Sequence, residues 1–553
     1  MPDSSVIHNP ILPGFNPDPS ILRVGDDYYI ATSTFEWFPG VQIHHSRDLI
    51  HWRLLTRPLT RPSQLNMLGD PDSCGIWAPC LTYADGLFWL IYTDVKRYGR
   101  TSQGPGGVGA SLRDTHNYLV TSQTIDGEWN DPIYLNSSGF DPSLFHDDDG
   151  RKWLVNMLWD HRPGYNRFGG TVLQEYSHTE KKLVGPTKEI FKGTAIGFTE
   201  GPHLYKRNGY YHLLLAEGGT GWGHAVTMAR SRQIAGPYEL HPDTYVLTAR
   251  HRPDVKLQRS GHADFVETQS GDIYMVHLCG RPLPNRGRCT LGRETAIQLM
   301  KWGEDDWLRT ADGKGVPDEE VPAPALPAHE FPAPPVRMDF DGPELPLDLQ
   351  WLRSPYPEEL FSLTARPGHL RLYSRETIGS PFRQALVARR QQSHCFSAST
   401  STDFEPQTYQ QLAGLVCYYN SVKFHYFYIS TDEVSGRHLR VFSCLPDALQ
   451  TDVFTPPIKI PNGVRVELRV EIDFERLYFG YRLEGKDWVW LPGHFDASIL
   501  SDEAAAFGSP NFTGAFVGMC AQDNTGTQIP ADFDYFEYRE RPFAVDPRVG
   551  NAK

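Results

Sequence analysis

The chain has 553 residues and a formal net charge of −14, a length that exceeds one hydrophobic core and predicts two or three domains. Aromatic residues make up 12% of the sequence, and 49 glycines and 44 prolines imply many turns; this combination favours an all-β architecture. The acidic balance, with no basic run interleaved with aromatics, argues against nucleic acid and anionic membranes as partners.

Targeting features are missing from the printed sequence. The first residues, MPDSSVIHNPILPGF, lack the positive and apolar regions of a signal peptide, and no stretch approaches the roughly 18–20 apolar residues of a membrane span. Eight cysteines are scattered without a C-x-x-C pair and are expected to be reduced thiols. These features predict a cytoplasmic protein with no membrane partner.

A polar turn followed by aromatic residues recurs five times in the first 315 residues. The copies are DDYYIAT, DGLFWLIYT, DGRKWLVNM, NGYYHLLL and GDIYMVHL. Aligned on Tyr29, Trp89, Trp153, Tyr211 and Tyr274, they are spaced by 60, 64, 58 and 63 residues. Units of this length hold four short strands, and no helical period is sustained. Residues 1–315 are therefore predicted to form a five-bladed β-propeller.

The tripeptide Asp-Pro-Ser begins at Asp18 and again at Asp141, 11 and 12 residues before the aromatic of its repeat. The same position is occupied by Trp77, Glu200 and His262 in the other three repeats. Equivalent positions of a propeller surround its central axis. These five side chains are therefore expected to share one axial pocket.

Three carboxyl groups in one pocket raise one another's pKa, so that a protonated and an ionised carboxyl coexist near neutral pH. Such an acid and base pair is what glycoside hydrolysis requires. The alternative is that Asp18 and Asp141 are turn residues satisfied by backbone amides. His262 is a structural histidine, a group that shifts the carboxyl pKa values, or a cation ligand.

Aromatic residues near these motifs offer apolar faces on which a sugar ring can stack. Trp77 is the first candidate, with an interior propeller aromatic as the alternative. Phe35, in TSTFEWFPG, and Trp222, in GGTGWGH, are further candidates.

A proline-rich segment, 316–336, separates the repeats from the rest of the chain. Seven prolines between Val316 and Pro335 predict a stiff, extended connector. Beyond it, apolar and charged residues alternate from Val464 to Phe474, as in a half-buried antiparallel strand. Similar runs and intervening turns predict a β-sandwich over 337–553. It is expected to form a fixed wall of the pocket; a mobile carbohydrate-binding module is the alternative.

Two acidic clusters in this second domain, Asp339-Phe340-Asp341 and Asp532-Phe533-Asp534, offer oxygen ligands of the kind that hold structural Ca²⁺. A solvated acidic edge is the alternative, because carboxylates are usually exposed.

Several longer motifs occur in one order along the chain: NPILPGFNPDPSI, STFEWFPGVQIHHSRDLIHW, GIWAPCLTY, GFDPSLFHDDDG, FTEGPHLYK, GRPLPNRGRCTLGRETAIQ and FTGAFVGM. Together they resemble glycoside hydrolase family 43, and most of all its two-domain bacterial β-xylosidases. The resemblance implies a five-bladed propeller, a concanavalin-like (jelly-roll) β-sandwich and an inverting mechanism.

The resemblance also implies roles for the acidic residues. Asp18 is the general base, Glu200 is the general acid, and Asp141 orients that acid and tunes its pKa. In inverting enzymes the acid and base carboxyls are roughly 6.5–9.5 Å apart.

Other pocket residues follow from the same resemblance. Arg293 grips sugar hydroxyls, and Phe512 reaches in from the second domain to close the pocket. Phe35, Trp77 and Thr220 line the subsite of the sugar that is released. His262 lies at the axis, where some members hold Ca²⁺ or another divalent ion.

The expected activity is exo-acting release of D-xylose from the non-reducing ends of short β-1,4-xylo-oligosaccharides, with no cofactor required for the chemistry. The alternatives are an α-L-arabinofuranosidase, a dual activity, or a non-catalytic sugar-binding propeller. An endo-acting arabinanase is disfavoured because the second-domain wall would block a long chain. The family resemblance predicts a homo-oligomer, either a dimer or a tetramer.

Overall fold

The computed structural model describes residues 5–98, 112–446, 452–504 and 511–541. Within these ranges nearly all regular structure is β-strand, and the helices are two single 3₁₀ turns, Pro357–Glu359 and Ala497–Ile499. No helix in these ranges combines the length and the apolar character that a membrane crossing demands. The prediction of an all-β protein is confirmed. The outer ends of the two predicted domains, 1–4 and 542–553, lie outside the described residues.

Five antiparallel sheets follow one another along the first part of the chain, each with its strands in chain order. The first three comprise Ser20–Val24, Asp27–Thr32, Gln42–Ser46 and Arg53–Thr56; Gly75–Ala84, Leu87–Arg97, Asp114–Ser122 and Ile133–Asn136; and Ser143–His146, Lys152–Trp159, Phe168–Ser177 and Lys182–Phe191. The last two comprise Glu200–Arg207, Tyr210–Glu217, Ala225–Ser231, Glu239–Leu240 and Leu247–Thr248; and Gln258–Glu267, Ile273–Gly280, Glu294–Trp302 and Leu308–Thr310.

The first strands of the five sheets contact one another in a closed ring, which is the centre of a propeller. The five aromatic residues used to align the repeats all lie in the second strands of their blades. The repeat spacing therefore predicted the blades correctly, and the five-bladed propeller is confirmed.

The proline-rich segment returns to the propeller. Its short strand Glu320–Pro322 pairs with Val6–His8 near the start of the chain. The segment thus lies along the propeller surface with its strand at an edge, where proline is tolerated. The division into 1–315, 316–336 and 337–553 stays a prediction.

The second domain contains two antiparallel sheets. One comprises Phe361–Ser362, Leu370–Tyr373, Pro530–Glu540, Cys395–Asp403, Val466–Asp473, Arg476–Leu483 and Val489–Trp490, with Arg337–Met338 and Phe495–Asp496 beside it. The other comprises Asp452–Phe454, Gly436–Cys444, Lys423–Asp432, Gln411–Asn420, Phe516–Asp523, Ala385–Arg390 and Gln350–Leu352, with Ile458–Lys459 beside it. A hydrophobic core with side chains from both sheets includes Leu415, Leu468 and Phe533. The predicted alternating strand is present but shorter, at Val466–Asp473.

A propeller segment completes one sheet of the sandwich. Trp37–Phe38, from the first blade's region, pairs with Gln350–Leu352. The Trp37 ring also stacks on Phe516, with centroids 3.7 Å apart and an interplanar angle of 12°. Backbone pairing and aromatic packing across the two domains favour the fixed wall over a mobile module.

Carboxylates of both acidic clusters in the second domain pair with arginines, and in the first cluster Arg337 lies 2.6 Å from Asp339. Asp532 accepts hydrogen bonds from Arg366 and Arg371, and Asp534 lies 3.3 Å from Arg465. No group of three His, Cys, Asp or Glu side chains suited to a metal occurs among the described residues. The structure therefore gives no support to Ca²⁺ in this domain.

Candidate active site

All nine predicted site residues line one cavity of about 220 Å³. They are Asp18, Phe35, Trp77, Asp141, Glu200, Thr220, His262, Arg293 and Phe512. The cavity is smaller than the roughly 300–1,000 Å³ of pockets for drug-sized ligands, and it suits a molecule of about one six-membered ring. Trp222, the further aromatic candidate, is 45% exposed and does not line this cavity.

A backbone kink at the start of each blade aims these side chains inward. Asp18, Ala78, Asp141, Gly201 and His262 all have positive φ, between 38° and 55°. Non-glycine residues rarely adopt this region, and it recurs at functional sites. The five kinks are the equivalent positions of the repeat.

The kinks correct the sequence alignment at two repeats. Trp77 and Glu200 come one residue before the kinked residues Ala78 and Gly201. Their blades contain register shifts at that point, between Trp77 and Cys80 and between Glu200 and His203. Such a bulge re-aims a side chain, so Trp77 and Glu200 still reach the pocket from the preceding position.

Asp18 is held by charged and hydroxyl donors. Arg293 Nη1 donates to its Oδ1 at 2.6 Å, and Ser33 Oγ donates to its Oδ2 at 2.7 Å. Burial alone would raise the pKa of Asp18, but Arg293, His262 and Ser33 favour the charged form, and the pKa is lowered. Asp18 is therefore ionised at neutral pH.

Ser33 was not anticipated from the sequence. Besides donating to Asp18, its Oγ accepts a hydrogen bond from the Ala78 backbone N–H at 2.7 Å. It thereby connects the first and second kinks. No motif signals this role, because serine between threonines in a strand ending is ordinary.

The pKa values of Glu200 and Asp141 are raised, in contrast to that of Asp18. Burial, followed by the charges of Asp141 and Asp18, raises the pKa of Glu200 well above its usual value. Burial and Asp18 raise the pKa of Asp141 as well, although the Gly201 N–H donates to its Oδ2 at 3.1 Å. Because the two groups are close and both are buried, the pair retains a proton at neutral pH.

His262 packs beside Asp18 and beside the backbone that follows Glu200. Its Nδ1 lies 3.7 Å from Asp18 Oδ1. Its ring packs on Gly201, so that a Cβ added to Gly201 would lie only 3.1 Å from the ring. Burial lowers the pKa of His262 to about 4, so the ring is neutral. Since no metal-binding group of three occurs in the described ranges, the expected axial divalent ion is not supported.

Aromatic rings form the apolar wall of the pocket. Trp77 lies 5.4 Å from Phe35, 4.7 Å from Tyr98 and 5.5 Å from each of Phe140 and Phe512, measured between ring centroids. Its Nε1 donates to Ser73 O at 3.1 Å. The indole is thus fixed in place, with an apolar face suited to the C–H side of a sugar.

Four aromatic lining residues were missed by the sequence analysis: Tyr98, Phe140, Phe168 and Phe198. Phe140 immediately precedes Asp141, and Phe198 comes two residues before Glu200. Their closeness to the acidic motifs was an available signal. Phe198 is 54% exposed and lies against Phe168.

The second domain closes the pocket through Phe512. Arg293 Nη2 donates to the Phe512 carbonyl at 3.0 Å, and the Phe512 N–H donates to Ser73 Oγ at 3.2 Å. The backbone on both sides of this ring is therefore bound to the propeller. The arrangement presents one carboxyl group with a lowered pKa, Asp18, one with a raised pKa, Glu200, and an aromatic wall around one small cavity.

Comparison with known proteins agrees with this site. The family model of glycosyl hydrolases family 43 matches residues 7–308, and that of the β-xylosidase C-terminal concanavalin A-like domain matches residues 337–539. The concanavalin-like fold predicted for the second domain is confirmed.

Full-length relatives and a solved structure are also similar. Xylosidase/arabinosidase 43B of Humicola insolens is 53% identical over 537 residues, which cover 96% of this chain and 97% of the relative. A β-xylosidase of Bacillus subtilis (strain 168) is 50% identical over 549 residues, or 97% and 100% of the two chains. The crystal structure of xylan β-1,4-xylosidase from Bacillus halodurans C-125 has a TM-score of 0.92 at 52% identity, with coverage of 97% and 100%. The chain therefore belongs to glycosyl hydrolase family 43.

Proposed function

We propose that the chain is an exo-acting, inverting glycoside hydrolase that releases D-xylose from the non-reducing ends of short β-1,4-xylo-oligosaccharides. The observation that carries this proposal is the pairing, in one small cavity, of an acid with a raised pKa, Glu200, and a base with a lowered pKa, Asp18. Environments that separate two carboxyl pKa values in this way assign the acid and the base.

In the proposed mechanism, Glu200 donates its proton to the leaving glycosidic oxygen while Asp18 removes a proton from water on the opposite face of the sugar. The water oxygen forms the new bond to the anomeric carbon as the bond to the leaving oxygen breaks. The sugar is released with inverted configuration.

The neighbouring groups support these two roles. Arg293 keeps Asp18 ionised and has donors available for sugar hydroxyls. Asp141, close to Glu200, favours the protonated acid in the resting enzyme. The chemistry requires no metal or organic cofactor, because both proton transfers are made by carboxyl groups.

Exo action is proposed from the shape of the cavity. Phe512 and the aromatic wall line a cavity that holds about one ring, and we expect them to block a continuing chain. The terminal xylose would occupy the cavity, and the rest of the oligosaccharide would extend through the mouth near the exposed Phe198 ring.

A second activity, on α-L-arabinofuranosides, is proposed because a relative that is 53% identical to this chain is named a xylosidase/arabinosidase. Both sugars present similar hydroxyl stereochemistry near the cleaved bond. Parallel kcat/KM measurements with aryl β-D-xyloside and aryl α-L-arabinofuranoside would give the ratio of the two activities.

The proposal is tested by following β-1,4-xylotriose hydrolysis by proton NMR. We expect α-xylose as the first product, with xylobiose appearing simultaneously and xylose accumulating from the outset. Initial release of β-xylose would contradict inversion, and internal cleavage of longer oligosaccharides would contradict exo action.

The non-catalytic alternative is tested with Glu200→Gln. The loss of the proton donor should lower kcat on xylobiose by about 10²–10⁴-fold. Glu304→Gln, at an exposed glutamate, is the control and should retain full activity. Equal rates for wild type and Glu200→Gln would exclude the proposed acid.

The assembly and location stay predictions. A dimer or tetramer is expected from the family resemblance and is measured by light scattering coupled to gel filtration. A cytoplasmic location is expected from the sequence and is measured by cell fractionation.

A further inference from the structure

Buried arginines lie where the propeller, the proline-rich segment and the sandwich meet. Arg57, from the first blade, is 5% exposed; Arg389 and Arg390, from the sandwich, are each 6% exposed. Each of the three donates to a glutamine side chain, and none forms an ion pair with a carboxylate among the described residues. Buried charges are normally paired, so this cluster requires an explanation.

The acceptors around Arg57 and Arg390 are neutral. Arg57 donates to the Leu347 carbonyl and to Gln42 Oε1, and its Nε has no hydrogen-bond partner. Arg390 donates to Phe15 O at 2.9 Å and to Gln350 Oε1 at 2.7 Å. Hydrogen bonds to amide and carbonyl oxygens orient the guanidiniums but leave their charges uncompensated.

Arg390 disfavours the charged form of Arg57, and both arginines disfavour the charged form of His44. Burial and Arg390 lower the pKa of Arg57, and burial lowers the pKa of Arg390 to about 9. Burial, Arg390 and Arg57 lower the pKa of His44 to about 3. The charge of Asp348 raises the pKa of both arginines. However, Asp348 is only half-buried and makes no ion pair with either arginine.

A cavity of about 710 Å³ lies beside this cluster. Its walls include Arg389 and Arg390 from the sandwich, His44 from the propeller, and the segment Phe331–Pro335 of the proline-rich connector. The side chains of Arg389 and His44 each carry a buried nitrogen, Nε and Nδ1 respectively, without a hydrogen-bond partner. Asp348 is the one carboxylate that lines the cavity in the described part of the chain.

We propose that this interdomain cavity is a binding site for a small oxyanion of the size and charge of inorganic phosphate. Guanidinium groups are the preferred partners of phosphate and carboxylate oxygens, since their planar array of donors matches two oxygens at once. A bound oxyanion would supply the missing counter-charge. It would also connect the two domains, because His44 belongs to the propeller and Arg389 and Arg390 to the sandwich, and all three line the cavity.

The site is linked by contact to the catalytic region. Arg390 Nε holds the carbonyl of Phe15, three residues before Asp18. Phe15 in turn packs against Phe35 of the active-site wall, with centroids 5.5 Å apart. Oxyanion binding is therefore expected to stabilise the domain junction and the segment that carries the base.

The test is a calorimetric titration of sodium phosphate into the full-length chain at constant ionic strength, with sodium chloride as the blank. We expect one phosphate per chain and a melting temperature that rises with phosphate concentration beyond the effect of chloride. Arg390→Met should weaken phosphate binding by at least about tenfold, because a charge-assisted contact is lost. Arg252→Met, at an exposed arginine of the propeller, should leave it unchanged.

Two further measurements locate the anion and do not depend on how Arg390→Met folds. Arg293→Met should retain phosphate binding, since Arg293 lies in the active site. If Arg293→Met loses phosphate binding and Arg390→Met retains it, the proposal is overturned. A selenate-soaked crystal of the wild type should show an anomalous selenium peak between Arg390 and His44. The proposal would also be overturned if that peak were absent, or if an acidic side chain from a second copy of the chain occupied the cavity instead of the anion.

Discussion

Arg293 and Asp18 form an ion pair in the active-site cavity, with Nη1 and Oδ1 2.6 Å apart and both side chains at most 5% exposed. The same guanidinium donates through Nη2 to the carbonyl of Phe512. One side chain therefore controls both the charge of the proposed base and the position of the wall supplied by the second domain.

Replacement of Arg293 by methionine is expected to shift the pH dependence of catalysis. Arg293 lowers the pKa of Asp18 against the effect of burial, so its removal raises that pKa. The base must be ionised to act, and the acid limb of kcat/KM should therefore move to higher pH, by about 1–3 units. A pH profile with the acid limb of the wild type would refute this assignment. Arg309→Met, at a partly exposed arginine, is the control.

Replacement of Glu200 by glutamine is expected to stabilise the protein while removing activity. The folded-state pKa of Glu200 lies well above its usual value of 4.5. When the pH rises above 4.5, Glu200 loses its proton in the unfolded chain but keeps it in the folded protein. The free energy of unfolding of the wild type therefore falls with pH between 4.5 and the raised folded-state pKa. The free energy of unfolding falls by up to about 1.4 kcal/mol per pH unit in this interval.

Glutamine cannot ionise, so Glu200→Gln should melt at the same temperature as the wild type near pH 4 and at a higher temperature near pH 7. Calorimetric melting of both proteins across this range measures the difference. Glu304→Gln should show no pH-dependent difference. A wild type that is more stable than Glu200→Gln at pH 7 would contradict the raised pKa.

Glu217 is predicted to position the loop that carries the acid. Its buried carboxylate accepts hydrogen bonds from Thr194 N at 2.7 Å, Thr194 Oγ1 at 2.6 Å and Thr199 Oγ1 at 2.7 Å, and Thr199 immediately precedes Glu200. Glu217→Gln replaces an acceptor oxygen with a donor and should weaken the folded loop by about 1.5–3 kcal/mol.

Because Glu217 does not line the cavity, its replacement should lower kcat more than it changes KM. Steady-state kinetics on xylobiose would measure this. Glu239→Gln, at an exposed glutamate, is the matched control. An increase in KM with an unchanged kcat would argue against a role in positioning the acid.

Arg259 is predicted to anchor a part of the sandwich, at Asp502 and Glu503, that precedes Phe512 in the sequence. It pairs with Asp502 and Glu503 of the sandwich, at 2.8 Å each, and its Nε donates to the carbonyl of Thr220 in the pocket. Arg259→Met leaves two carboxylates without their cation, one of them buried, at a cost of about 3–5 kcal/mol.

The Arg259→Met variant should therefore have a lower melting temperature and a higher KM, since both Thr220 and Phe512 lose support. Thermal melting and substrate kinetics test the two effects separately. Arg252→Met, whose partner Asp254 is exposed, should change neither. A loss of stability without any change in KM would limit Arg259 to a structural role.

The repeated motifs determined much of this protein from sequence alone. Each blade is a local hairpin unit, so its polar turn and aromatic strand recur at a readable spacing, as at Tyr29 and Trp89. The acidic residues stand in motifs at the start of blades, which made Asp18, Asp141 and Glu200 identifiable from their spacing to those aromatics. Trp77 and Glu200 were placed one position from the kinks, because a bulge changes backbone register without changing the motif.

The family resemblance placed Arg293 and Phe512 in the pocket, but only the tertiary structure showed the contacts that join such distant segments there. Phe512 and Arg293 are 219 residues apart, and Trp37 belongs to the propeller region but pairs with a strand of the sandwich. Ser33, Arg259 and the arginines between the domains have no motif that marks them. Local spacing encodes strands and turns because their interactions join near neighbours in the chain. Contacts between domains depend on how the surfaces of the folded domains pack together. Local sequence patterns do not predict these contacts, because they join residues that are far apart in the chain.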